Sequence, residues 1–191
     1  MADLDDVLNG LVILCQSALY PNGVSGGSAA GIGVKIYPGW PVPQDLNKDI
    51  ATGKAHVSVY ARPEEKNTTR YPKQPQLLSM GVGGTTGQNI TEVRRQERLF
   101  QMVIWAPSPQ SRTAIVNVID PLLADTIRFT LPDQSSARLI YKGSPISDIV
   151  EKANIYRRDL LYTVEYATTK LEIEYTVLTN VLNTQAVQNI T

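Results

Sequence analysis

The stretch Ile155-Tyr-Arg-Arg-Asp-Leu-Leu-Tyr-Thr-Val-Glu-Tyr-Ala-Thr-Thr-Lys-Leu-Glu-Ile-Glu-Tyr-Thr-Val177 carries a sustained two-residue alternation. Leu160, Tyr162, Val164 and Tyr166 fall on one side of an extended chain, and Leu171, Ile173, Tyr175 and Val177 resume the period after Ala167-Thr168-Thr169-Lys170. This pattern predicts a β-hairpin with its turn at 167–170. Thr163, Glu165, Glu172, Glu174 and Thr176 sit between the apolar positions, so one face is expected to be wet and the other covered by the rest of the chain. Burying eight such side chains contributes at most roughly 12 to 24 kcal/mol, comparable to the net stability of a whole domain. The hairpin reads as scaffold.

Working outward, the 191 residues suit a single domain, 1–191, with one core. Eighteen basic and eighteen acidic side chains cancel, which gives no general attraction to nucleic acid or to an anionic membrane. The distribution is uneven. Residues 62–112 hold eight basic against four acidic side chains, and the flanking thirds are slightly acidic. With one cysteine, Cys15, and one histidine, His56, neither an internal disulfide nor a zinc site is expected, and no cofactor or metal. The acidic start Met-Ala-Asp-Leu-Asp-Asp is unlike a secretory signal, and the reading expects no membrane insertion.

Toward the N-terminus, Asp3 is placed to cap a helix in which Leu4, Val7, Leu8, Leu11, Val12, Cys15 and Leu19 form one stripe, ending at Pro21-Asn22-Gly23. Cys15 lies on that stripe and is expected to be a buried packing residue. A Gly/Ser/Ala connector at 23–33 leads to a short strand, Val34 to Tyr37, closed by Pro38-Gly39-Trp40-Pro41. A polar segment, 43–54, precedes a second strand at His56 to Ala61; His56 has no orienting neighbour or nucleophile in the sequence. Residues 62–95 form a long polar excursion, whose Gly81-Val-Gly-Gly-Thr-Thr-Gly87 lacks the Lys-Ser/Thr ending of a phosphate cradle. Leu99 to Trp105 is nearly all apolar and predicts a central strand buried on both faces. Ser108-Pro109 then opens a helix carrying Ile115, Val118, Ile119, Leu122, Leu123 and Ile127, which Pro121 is expected to kink or split. Short extended pieces span 129–141, residues 143–154 read as loop or a helical turn, and 180–191 as a polar tail. The fold class is α+β: a mixed, mainly antiparallel sheet with helices packed on one face.

This order resembles the tail terminator (tail completion) proteins of long-tailed bacteriophages, the lambda-like minor tail family. The resemblance lies in the N-terminal helix, the extended stretch Val34 to Pro43 with its Tyr37-Pro38-Gly39-Trp40-Pro41 turn, the strand His56 to Ala61, the strand into Trp105-Ala106-Pro107, the helix with Ile119-Asp120-Pro121-Leu122, and Tyr156-Arg157-Arg158-Asp159 before two final strands. It implies a structural virion protein, found in the tail or neck and assembled in the host cytoplasm. It further implies a homohexameric ring that caps the tail tube, with tube protein and head–tail connector or neck proteins as partners. Such a ring needs two different patches per subunit, with aromatics and arginines at their centres. Trp40, Tyr71, Arg94, Arg95, Arg98, Arg157 and Arg158 are the candidates. A basic lining tolerates DNA passing through a channel without base-specific contact.

Two other classes compete. A hydrolase would need converging acids, but Asp5/Asp6 cap a helix and Glu172/Glu174 are assigned to the wet side of the hairpin, so no catalytic residue is nominated. A nucleic-acid module using 62–98 would show affinity falling steeply with salt. Another neck or head-completion protein is the runner-up within the structural class.

Overall fold

The computed structural model describes the backbone of residues 3–67, 76–80, 86–147 and 155–175, and the side chains of 3–66, 91–146 and 155–170. Helix α1 spans Leu4–Leu19. Asp3 accepts from the backbone N–H groups of Asp5 and Asp6, each at 3.0 Å, and Asp6 accepts from the N–H of Asp3 at 3.1 Å, a capping box built from aspartates. Val7, Leu11, Cys15 and Leu19 are wholly buried against the sheet. The apolar run Leu4–Gly26 has the length and hydropathy of a membrane-crossing segment, but only its first 16 residues are α-helix and their apolar stripe packs into the core. Gly23 and Gly27, at φ 77° and 80°, bracket a 3-10 turn, Val24–Gly26, that leads into β1, Val34–Pro38.

Helix α2, Pro43–Ala51, lies where the sequence suggested only a polar segment. Proline opens it, and Leu46 and Ile50, four residues apart, are its buried apolar positions, with Asp49 buried beside them. Strands β2, Ala55–Asn67, β3, Gln76–Met80, and β4, Thr86–Ala106, follow. The described parts of the 62–95 excursion are therefore strand: the ends of β2 and β4 run past the core, and β3 is added to β4 there. Helix α3, Pro109–Asp125, starts where Ser108 accepts from the Ser111 N–H at 3.1 Å. It continues through Pro121 as one helix. The carbonyl that loses its partner belongs to Asn117, an exposed residue, and Ile115, Val116, Ile119 and Leu123 hold both halves to the sheet. Strands β5, Arg128–Thr130, β6, Ser136–Gly143, and β7, Ile146–Ser147, lead to β8, Tyr156–Tyr175.

Over its described residues the expected hairpin is instead the single strand β8, paired to β4 from Tyr156↔Ala106 to Tyr175↔Thr86 with one bulge on the β4 side between Glu92 and Arg94. Nothing in Ala167-Thr168-Thr169-Lys170 supplies a turn: there is no Gly, Asn, Asp or Pro, and two β-branched threonines favour extended backbone. Leu160, Tyr162, Val164 and Tyr166 do enter the core together. Thr163, assigned to the wet face, is buried.

The sheet is mixed and mainly antiparallel, in the order β1-β2-β4-β8-β6-β5, with β1 parallel to β2, β3 added to β4 and β7 to β8. One face, through Val57, Val59, Phe100, Met102, Ile104 and the four β8 residues, packs on α1 and α3. On the other face, Tyr60, Val103 and Trp105 cluster with Leu46 and Ile50 of α2 and with Ile155. The predicted central strand 99–105 is thus covered on both sides.

Candidate oligomer and partner interface

Register sets which side chains share the α2 face. Lys35 and Tyr37 of β1 pair with His56 and Ser58 of β2, His56 and Ser58 pair with Trp105 and Val103 of β4, and these pair with Arg157 and Asp159 of β8. Directly opposed residues project to the same side, so eight residues remote in sequence form two rows across four strands.

At the β1 end, the His56 ring is held between two partners. Tyr37 Oη lies 2.8 Å from Nδ1 and Asp49 Oδ2 lies 3.0 Å from Nε2. A neutral ring satisfies both with the proton on Nε2 donated to Asp49, while Nδ1 accepts from Tyr37. Lys35 Nζ also reaches Asp49 Oδ2, at 2.5 Å. The Lys35 hydrogen bond, then that of His56, hold the Asp49 carboxyl below its ordinary value, against the effect of burial. Burial, then the Asp49 charge, push the Tyr37 hydroxyl up to about 12. This network pins α2 to β1 and β2.

In the middle of the face, the Trp40 ring stacks on Tyr60 at 4.5 Å between centroids and stands 6.4 Å from Trp105. Arg157 Cζ sits 4.9 Å from the centre of the Trp105 ring. Its Nε and Nη2 donate to the two oxygens of Asp159 at 2.8 and 2.9 Å, and that carboxylate raises the affinity of the guanidinium for its proton. Gln101 Nε2 donates to Asp159 Oδ2 at 2.6 Å, and Trp105 Nε1 to Ser58 Oγ at 3.3 Å. Trp40 is nevertheless 58% exposed and its neighbour Val42 59%. A large aromatic rigidly buttressed from below and open above is the arrangement found at interface hot spots.

The six described residues among the seven nominated do not converge. Trp40 and Arg157 belong to this cluster, and Arg158, facing the other way, donates from Nε to Ser144 Oγ at 2.8 Å. Arg94 and Arg98 both turn to Glu65, from β4 across to β2. Arg95 makes a two-pronged contact with Glu92 at 3.0 and 2.7 Å. Tyr71 lies outside the described residues. Sequence reading missed Asp49, Tyr60, Gln101, Trp105 and Asp159. Leu46 and Ile50 at helical spacing after Pro43 were the available signal for α2, and hence for Asp49; the cross-strand partners required the register.

The arrangement has little chemistry in it. Burial pushes the Cys15 thiol up to about 12, and its Sγ rests 3.8 Å from Met102 Sδ. Neither Cys15 nor Tyr37 has a lowered pKa, and among the described residues no group of three His, Cys, Asp or Glu side chains is placed to hold a metal ion.

No family model matches the sequence, and no curated protein does. Solved structures match the chain. A sheath/tube terminator of an extracellular contractile injection system (PVC), seen in the extended state by cryo-EM, matches with TM-score 0.52 and 12% identity over 99% of this chain and 66% of that one. A chain from the virion of a native gene transfer agent particle matches with TM-score 0.37 and 16% identity, over 84% of this chain and 96% of that one. This chain therefore spans just under two thirds of the terminator, and its α+β architecture is one that a sheath/tube terminator also uses.

Proposed function

We propose that this chain is a tail terminator-like virion structural protein, without enzymatic activity, that forms a homo-oligomeric ring, hexameric by the family resemblance. The ring caps a tail tube and joins it to the head or neck. The observation that carries the reading is the fold shared with a sheath/tube terminator over 99% of the chain. The buttressed Trp40 surface supports it, because a ring subunit needs aromatic anchors held rigid before assembly. Tube protein and neck or connector proteins are the proposed partners, and DNA passes the lumen without base-specific contact.

Light scattering on the purified chain, followed by negative-stain imaging alone and with tubes, tests this. Rings in solution and label confined to one end of the tubes are expected. Monomers at high concentration and bare tube ends would refute the reading, and label on the portal side alone would move the protein to the head-completion class.

A further inference from the structure

The turn that carries Trp40 is fixed from both sides. Gly39, at φ 86°, donates its N–H to the Val59 carbonyl at 2.7 Å. His56 bonds Tyr37 on the strand before the turn and Asp49 on the helix after it. Trp40 is thereby held on Tyr60 in one position, while it and Val42 both stay more than half exposed.

A second apolar surface lies at the other end of the same strand. Between α1, the 3-10 turn and β1 is a cleft of about 470 Å³ lined by Ile13, Val24, Val34 and Ile36. Ile13 is 61% exposed and Val24 80%. Strand addition at this edge of the sheet is blocked, because the Tyr20 hydroxyl accepts from the N–H of Val34 and donates to its carbonyl, both at 2.8 Å, and Pro38 has no N–H. The cleft is built to receive side chains.

The two surfaces match but cannot meet within one chain. Val34 and Ile36 alternate with Lys35 and Tyr37, so the cleft lies on the α1/α3 face of the sheet, while Trp40 lies with Tyr60 on the α2 face. Burying the Trp40 ring requires an acceptor for its indole N–H, and Gln16 and Ser17, both exposed on the cleft wall, each carry one. Neither Trp40-Pro41-Val42 nor the cleft lining holds a charged side chain, so closing one on the other strands no charge away from water. We propose that Trp40 and Val42 of each copy seat in the α1–β1 cleft of the next copy. The contact is head to tail, as a ring requires, and the proposal rests on the ring reading above. One tryptophan buries about 150–250 Å², well under the roughly 800 Å² per partner of a standard interface, so this contact is the anchor of a larger surface.

Full-length Ser17→Cys and Val42→Cys chains, treated with a short bis-maleimide, test this; the natural Cys15 is buried and does not compete. Both substituted positions are exposed, so the circular dichroism spectrum is expected to stay that of wild type. The mixture is expected to give a covalent dimer of about 42 kDa, twice the 21.0 kDa chain, and neither variant alone to give one. Adding Ile13→Glu to the Ser17→Cys chain is expected to abolish the dimer. Wild-type rings with no dimer from the mixture would overturn this contact and leave the ring reading standing. Dimer from either variant alone would also overturn it, by showing that like surfaces meet. Dimer undiminished by Ile13→Glu would overturn it too, by placing the contact outside the cleft. A wild type that is monomeric at every concentration removes both.

Discussion

Asp49 is the residue on which α2 depends, because Lys35 and His56 both donate to its Oδ2. Its carboxyl is held below the ordinary value of 3.8, so the folded state binds its proton less readily than the unfolded chain does. The stabilisation is complete above that ordinary value and is lost as pH falls through the lower, folded value. Asp49→Asn is therefore expected to lower the melting temperature at neutral pH, with a deficit that narrows as the pH is taken below about 4; melts across that range check it. A deficit that stays constant would mean the charge of Asp49 is irrelevant. Trp40 gives the opposite profile. Its stack on Tyr60 is worth about 0.5–1.5 kcal/mol to the monomer. Trp40→Ala should cost no more than that in denaturant melts, and about 2 kcal/mol or more in ring assembly if the ring forms through this face. A variant that assembles as well as wild type excludes Trp40 from the contact.

At the scale of elements, the segment 167–170 decides between one strand and two. Replacing Thr168-Thr169 by Asn-Gly inserts the turn that a hairpin would want. Because β8 is continuous there, and Thr169 is buried with its hydroxyl on Asp133, the change is expected to destabilise the fold by about 1–2 kcal/mol and to remove amide-exchange protection from 171–175. Unchanged protection would restore the hairpin. The sequence pattern for β8 was legible to the period but not to the phase: a pause in alternation is also what a strand shows when its apolar face switches, and only pairing to β4 tells the two apart. The same holds elsewhere. Helix α1, with its own cap and stripe, was fully readable, whereas Leu99 to Trp105 was readable only as the buried end of β4, whose earlier residues read as polar excursion. Helix α2 was not, because its two buried apolar residues are outnumbered by polar ones in nine positions. The interface cluster was half-readable, since Trp40 advertises itself by composition while Tyr60, Trp105 and Asp159 come together only through the sheet.

For the whole molecule the question is what force would hold copies together. The described arginines of the basic third are largely answered within the chain: Arg94 and Arg98 by Glu65, Arg95 by Glu92. Arg138 and Arg157 likewise meet Glu165 and Asp159. The net charge of zero gives no general attraction to phosphates or between subunits. Ile13, Val24, Trp40 and Val42 are exposed instead. Association through such surfaces is apolar, and apolar contacts are not weakened by screening, whereas surface ion pairs fade as the Debye length shrinks from about 10 Å at 0.1 M salt to about 3 Å at 1 M. The proposed ring is therefore expected to keep its sedimentation coefficient across that tenfold rise in salt. Duplex DNA is expected to show little binding even at the low end, since the eighteen basic and eighteen acidic side chains cancel. A ring that dissociates in high salt would transfer the interface to the arginines, and would mean that the pairs they make within one chain are exchanged for pairs with the next.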